Sequence, residues 1–404
     1  MPVVDQSAES GKRCGMVLKN WFILALALAT AACAGLPPPE GTVAVAPQVD
    51  QSVFVTHDGI RLPLRHWDAD GKPRAILIAL HGMNDYSNAF DAAAKAWTKD
   101  GITTYAYDQR GFGAGPSPGS WAGSAVLRQD FRDFAAALKR QYPATPLFAL
   151  GESMGGAVLL TALADQPEAL PKLDGVILES PAVWSRSDMP FSYRAALFLA
   201  SHLLPGMSLT GNGLHIVVSD NIPMLRALAA DPLVIKGTRV AAIAGLVDLM
   251  DEAYEAPRRL SRPPPILFLS GKNDQIIPRK PSEEVMAALD GKATVKTYPK
   301  GYHMLLRDLD GAVVTKDVAD WIGQRLAAST VISAGETVEK AMDKDSKKPD
   351  LRDRAGVETT ITNTDSRMAG GDDRPDSVKI KSDFNEVLPD VGKHIPEGQV
   401  TKSN

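Results

Sequence analysis

One pentapeptide constrains the chain more than any other stretch: Gly151-Glu152-Ser153-Met154-Gly155. The apolar run Pro146-Leu147-Phe148-Ala149-Leu150 leads into it and reads as a buried strand, and Gly156-Ala157-Val158-Leu159-Leu160-Thr161-Ala162-Leu163 leads out as an apolar helix. A serine on so tight a strand-to-helix turn is driven toward strained φ/ψ. A Cβ at Gly151 or Gly155 would meet neighbouring backbone. The helix start aims free N–H groups at the same tip, where an oxyanion would form. These features make Ser153 a candidate nucleophile, and the rest of the chain must supply it with partners.

An alcohol at its free pKa needs a base. Seven histidines are available. His57 and His66 fall in a first hairpin, His202 and His215 in a central helical region, His394 near the C-terminus, and His81 at the start of a loop. His303 lies in Lys300-Gly301-Tyr302-His303-Met304, directly after the last strand expected, at Ala293–Tyr298. Parallel sheets gather reactive groups at their C-terminal strand ends, so His303 is the candidate base. A carboxylate must then hold the imidazole tautomer. Asp274, in Gly271-Lys272-Asn273-Asp274-Gln275-Ile276-Ile277-Pro278, follows the apolar strand Pro265–Ser270, although an Asx-turn would also use an aspartate there. Asp248 and Asp251 are rivals on a helical segment. The chain order Ser153, Asp274, His303 is that of the α/β-hydrolase fold. Two backbone donors are expected for the oxyanion: the N–H of Met154, and that of Met83 in His81-Gly82-Met83-Asn84-Asp85. Asp108 and Arg110, after another strand end, read as loop braces.

The remaining rhythm fits this fold class. Short strands around Ser52–Thr56 and Leu62–Trp67 flank an Asp58-Gly59 turn. Ala75–Leu80 and Gly175–Ser180 are continuous apolar runs, as in a parallel sheet covered on both faces. Thr103–Tyr107 is a further strand, with helices at Ser87–Asp100, Ala125–Gln141 and Val313–Ala328. Strand–helix alternation implies right-handed crossovers and a mostly parallel sheet flanked by helices. Residues from about 182 to 262 interrupt it with helical stretches (Tyr193–Leu204, Met224–Ala229, Val240–Ala253) and no strand pattern, which predicts an inserted helical lid. The hydrolase domain is thus expected over 52–328.

Both ends differ from this core. Lys12, Arg13 and Lys19 precede the apolar run Trp21–Ala29, and Thr30-Ala31-Ala32 precede Cys33. That layout is a secretory signal, with Met1 or Met16 as its start, and the run is short for a membrane span. Its ending resembles a bacterial lipoprotein signal, which makes Cys33 a candidate lipidation site and residues 1–33 a signal segment. Cleavage after the small residues, giving an exported soluble protein, is the other outcome. Residues 34–51 read as a Pro-rich tether. From 329 to 404 aromatics nearly vanish and charges of both signs dominate, a composition that predicts a disordered polar tail. With two cysteines, both before the core, neither a disulfide framework nor a cysteine metal site is available to the fold. The net charge of −4 gives no basis for nucleic-acid binding.

Taken together, His81-Gly82, Asp108–Gly113, Gly151–Gly156, Gly271–Pro278 and Gly301-Tyr302-His303 resemble the monoacylglycerol lipase and lysophospholipase group of α/β-hydrolases, also labelled serine aminopeptidase S33-like. The resemblance covers about 52–328. It implies a serine hydrolase that cleaves esters of lipid-like substrates through an acyl-enzyme, without metal or organic cofactor, and the signal adds a membrane surface as partner. Two departures stand out. Asn84 replaces the second glycine of the usual His-Gly-x-Gly, and Glu152 stands where the lipases usually carry histidine, although other members of the group carry glutamate. Two other readings remain: a peptidase whose lid carboxylates (Asp248, Asp251, Glu252, Glu255) would hold a substrate ammonium, and a non-catalytic surface-anchored interaction protein.

Overall fold

The structure, a computed structural model, describes residues 44–211 and 215–346, the last seventeen (330–346) by backbone alone. The signal segment with Cys33, most of the tether and the tail beyond 346 lie outside the described residues. Among the described residues, eleven strands form two sheets. The large one has the order β1-β2-β3-β5-β4-β6-β7-β10-β11, with β1 at Gln48–Val49, β2 Val53–Val55, β3 Arg61–Trp67, β4 Ala75–Leu80, β5 Ile102–Tyr107, β6 Leu147–Glu152, β7 Gly175–Glu179, β10 Ile266–Gly271 and β11 Ala293–Tyr298. β1, β2 and β3 pair antiparallel, and β3 pairs antiparallel with β5. From β5 to β11 all pairings are parallel. β1 was not expected inside the tether, because two residues are too few to show a period.

β4 explains why the central strands read as unbroken apolar runs. Ile76, Ile78 and Leu80 enter one hydrophobic core, and Ala75, Leu77 and Ala79 enter another on the opposite face. Both faces are covered, so no polar alternation is possible. The first core is closed by α2 (Ser124–Gln141) and α3 (Met154–Ala164), through Phe131, Phe134, Val158 and Leu159 among others. The second is closed by α1 (Asp91–Trp97) and α8 (Gly311–Ser346), through Trp97, Val318, Trp321 and Ile322. The chain leaves β4 toward β5 on one side and returns to β6 on the other. The switch point of the sheet therefore falls between the C-terminal ends of β4 and β6, the place where such sheets leave a crevice.

The insertion after β7 carries α4 (Phe191–Leu203), α5 (Ile222–Ala230) and α6 (Val240–Arg259). Two corrections apply. The insertion does contain strands: β8 (Ser208–Thr210) and β9 (Gly237–Arg239) form a small antiparallel sheet. At three residues each, with no apolar alternation, they leave no sequence trace. The lid also ends earlier than residue 262. α6 packs along α3, and its Val247, Leu249, Met250, Ala253 and Ala256 belong to the first core. The inserted cap is thus residues 182–239, and α6 is a wall of the body. The helix α7 (Arg279–Ala288) lies between β10 and β11.

The closing helix was expected to stop at Ala328 but runs to Ser346. Residues 329–346 include Ala, Glu, Lys and Met, and the first helix-breaking proline is Pro349. The buried side chains described on α8, including Val314, Val318, Trp321 and Ile322, all lie in its first half. Truncation after Ser329 is therefore expected to leave the melting temperature nearly unchanged. A drop of more than about 4 °C, on the order of 1–2 kcal/mol for a domain of this size, would show that the removed segment packs on the body.

Candidate functional site

Ser153 sits between β6 and α3 with φ 52° and ψ −112°, a region that non-glycine residues rarely occupy. Its backbone is fixed on both sides. Its N–H donates to the Glu179 carbonyl at 2.9 Å, and its carbonyl accepts from Ala157 at 3.1 Å and from Ala182 at 2.9 Å. The two glycines are steric necessities. A Cβ on Gly151 would lie 2.5 Å from the Gly155 carbonyl carbon, and one on Gly155 would lie 2.1 Å from the Leu80 carbonyl oxygen. α3 starts at Met154, so the Met154 N–H faces the serine tip without a helical acceptor.

The loop after β4 is the other wall. The Cβ position of Gly82 lies 3.4 Å from Ser153 Cβ, which brings the Gly82–Met83 peptide alongside the nucleophile. His81 shapes this loop. The Gln109 N–H donates to His81 Nε2 at 2.9 Å, so the imidazole carries its proton on Nδ1 and donates it to the Gly82 carbonyl at 2.8 Å. His81 is fully buried and committed to structure. Asp108 accepts from the N–H groups of Ser87 and Ala114. Arg110 bonds Asp130 at 2.7 Å and Asp58 at 2.6 Å, holding the loop after β5 to the first hairpin. Both residues are braces.

Asp274 and His303 follow β10 and β11, which are adjacent parallel strands. Their loops interlock: Asn273 N–H donates to the Gly301 carbonyl and Lys272 N–H to the Tyr298 carbonyl. Asp274 uses both oxygens. Oδ1 accepts from Ile276 and Ile277 N–H at 2.8 and 3.1 Å, and Oδ2 meets His303 Nδ1 at 2.9 Å. The turn and the histidine pairing were alternatives from sequence; here one carboxylate does both. His303 is 5% exposed, and its ring is oriented with Nε2 free of the aspartate. Among the described residues, Ser153 Oγ is not hydrogen-bonded to it, and such contacts often tighten only with substrate present. The backbone N–H groups of His303 and Met304 share the Val218 carbonyl of the cap, at 3.2 and 3.1 Å.

Beneath these loops lies a charged knot that sequence reasoning missed. Arg307 donates to Asp85 Oδ2 and to Glu152 Oε1, both at 2.6 Å. One guanidinium therefore joins the loop after His303, the elbow and the loop after β4. Burial works against its charge, but the two carboxylates outweigh that and raise its pKa above the ordinary arginine value. Glu179 lies close by, with Oε1 accepting from Leu306 N–H at 2.9 Å and Oε2 without a partner among the described residues. Burial, and then the Glu152 charge, push its carboxyl well above the usual carboxylate range. Glu152 was visible as a departure inside the motif. Nothing marked Arg307 as its partner 155 positions away.

The four carboxylates of α6 are all engaged. Arg186 bonds Asp248 at 2.5 Å and Asp251 at 2.6 Å, Arg128 pairs with Glu252, and Arg258 pairs with Glu255 at 3.2 Å. Asp248 and Asp251 are thus not placed as the histidine's acid. α4 turns a set of apolar side chains outward, with Phe191 78% and Phe198 65% exposed and Leu199 and Leu203 beside them. Among the described residues no group of three or more His, Cys, Asp or Glu is arranged to hold a metal, and no helix is long and apolar enough to cross a membrane.

Comparison with known proteins agrees with this architecture. The chain is 27% identical over 303 residues to a monoglyceride lipase of Rattus norvegicus, covering 72% of this chain and 96% of that one. It is 26% identical over 276 residues to a monoacylglycerol lipase of Mycolicibacterium smegmatis, covering 68% and 96%. Its backbone is similar to the crystal structure of a soluble variant of monoglyceride lipase from Saccharomyces cerevisiae, with a TM-score of 0.60, 18% identity, and coverage of 72% and 99%. The α/β-hydrolase fold is shared with that structure. Residues 71–310 match the family described as serine aminopeptidase, S33, and the chain belongs to that family.

Proposed function

We propose that the protein is a serine hydrolase of carboxylic esters on lipid-like substrates such as monoacylglycerols or lysophospholipids. The observation that carries this reading is the strained Ser153 at the switch point, with the Gly82–Met83 peptide beside it and the hydrogen-bonded Asp274–His303 pair at the ends of later strands of the same sheet. In the mechanism, Ser153 Oγ attacks the ester carbonyl and His303 Nε2 takes its proton. Asp274 holds the Nδ1–H tautomer and stabilises the imidazolium. The N–H groups of Met83 and Met154 receive the oxyanion, each worth roughly 3 kcal/mol in the transition state. Collapse expels the alcohol, which takes the proton back from His303. Water, deprotonated by His303, then attacks the acyl-enzyme and releases the carboxylic acid and free Ser153.

The family description names an aminopeptidase, which needs a carboxylate free to pair a substrate ammonium. The four carboxylates of α6 are instead matched by arginines. That pairing, the outward apolar side chains of α4 and the relatives named for monoglyceride hydrolysis support an acyl substrate. We further propose export, with acylation at Cys33 anchoring the enzyme at a membrane surface. The charged, apolar and small-residue order of the first 33 residues supports this. Each buried methylene contributes about 0.8 kcal/mol, so two or more chains give a stable anchor.

Four measurements test these proposals. Ser153→Ala is expected to cut ester turnover by on the order of a million-fold and to abolish fluorophosphonate labelling; a variant that keeps a tenth of the activity places the nucleophile elsewhere. Asp274→Asn is expected to lose roughly 10⁴-fold while Asp251→Asn stays near wild type, and the reverse result would put the acid on α6. Esters should be cleaved in preference to a fluorogenic amino-acid amide, whereas faster amide cleavage favours the peptidase. Separately, Cys33→Ser should move the protein out of the membrane fraction without changing turnover on a soluble short-chain ester. A wild-type protein that is already soluble and begins at another residue rules out the anchor.

A further inference from the structure

Asn84 holds φ 67° in the loop that carries the Met83 donor. A glycine takes that conformation freely, and asparagine is among the few other residues that tolerate it. What the asparagine adds is a connection. Its Nδ2 donates to Thr238 Oγ1 at 2.7 Å, and its backbone carbonyl accepts from Ile235 N–H at 2.9 Å. Two residues on, the Tyr86 hydroxyl donates to Asp231 Oδ2 at 2.7 Å. Burial, and then this bond to a carboxylate, push the Tyr86 phenol up to about 12. Three hydrogen bonds thus bind residues 84–86 to one strap of the cap, residues 231–238. The strap is internally braced. Lys236 Nζ donates to the carbonyls of Leu228, Asp231 and Val234, and Thr238 is paired with Leu209 across the small cap sheet.

The other end of the same loop is the Gly82–Met83 peptide against Ser153. We infer that Asn84 is a positioning residue: through Thr238 it ties the Met83 N–H to the cap, so that the second oxyanion donor is in place only when the cap is seated. This rests on the reading of Met83 and Ser153 as parts of an ester-hydrolase site. A glycine at 84 would keep the turn but lose the side-chain tie. The loop would then be tied to the strap by the Ile235 and Tyr86 bonds alone, and small displacements of a donor are costly in the transition state.

The test is a double-mutant cycle on a small soluble substrate, p-nitrophenyl butyrate, with the full-length protein. Asn84→Gly relieves the backbone and is expected to fold with an unchanged melting temperature. Its kcat should fall about tenfold with KM within twofold, part of the 10²–10³ that a whole donor is worth. Thr238→Val should give the same loss, and the double variant no more than either single one, because both remove one connection. Thr238→Ser, which keeps the hydroxyl, should retain wild-type kcat. A wild-type kcat in Asn84→Gly, an effect on KM alone, or losses that multiply in the double variant would each overturn the inference while leaving the ester-hydrolase reading intact. A wild-type protein that neither labels with a fluorophosphonate nor cleaves any ester would defeat that reading, and this inference with it.

Discussion

The backbone of Ser153 is a conformation that the chain would leave if it were released. Strain of this kind costs on the order of 1–3 kcal/mol and persists only where the surroundings over-determine it. Here three hydrogen bonds to Glu179, Ala157 and Ala182 hold the serine peptide groups, and the close approach of Leu80 to Gly155 leaves the turn no room to relax. The elements that do the holding are central: β6 lies between β4 and β7, and α3 is walled by α2 and α6. The exposed orientation of one hydroxyl is thus set by the packing of the whole sheet.

The charged groups around the site divide into two kinds. Those beneath the loops are buried and paired with one another. Arg307 against Asp85 and Glu152 fixes three loops at one point, and removal of the arginine would strand two buried carboxylates, a loss typically of about 3–5 kcal/mol. Those along α6 are partly solvated pairs, whose energetic worth is small. Their effect is instead on chemistry, since a carboxylate occupied by an arginine does not select for a cationic substrate. Glu179, half-satisfied and with its carboxyl pushed up by burial and by the Glu152 charge, belongs with the first group.

Much of this was legible in the sequence, and for identifiable reasons. The β4 and β7 runs match the expected spans to within a residue, because burial on both faces leaves an unbroken apolar signal. Asp274 and His303 were placed by their position after strands, and the 2.9 Å contact between them follows from β10 and β11 being neighbours. The illegible parts are of two sorts. Three-residue strands such as β8 and β9 are too short to carry a period. Arg307 to Glu152 and Asn84 to Thr238 are pairings between distant positions, and no local pattern encodes them. Asn84 and Glu152 were conspicuous as departures from a motif, yet a departure reveals only that something differs and not what it touches.

α4 and α5 have no buried residue along their length, whereas the strands that bear Ser153 and Asp274 lie in a core closed on both faces. Local opening follows such differences in burial, and the least buried segments open at the smallest free-energy cost. The cap, which supplies the Val218 carbonyl to the histidine loop and the 231–238 strap to the loop after β4, is therefore the first part to detach on warming. Heat inactivation should then run ahead of global unfolding. Activity would fade while the far-UV signal of the sheet and its helices persists, and it would return on cooling as long as the sheet stays folded.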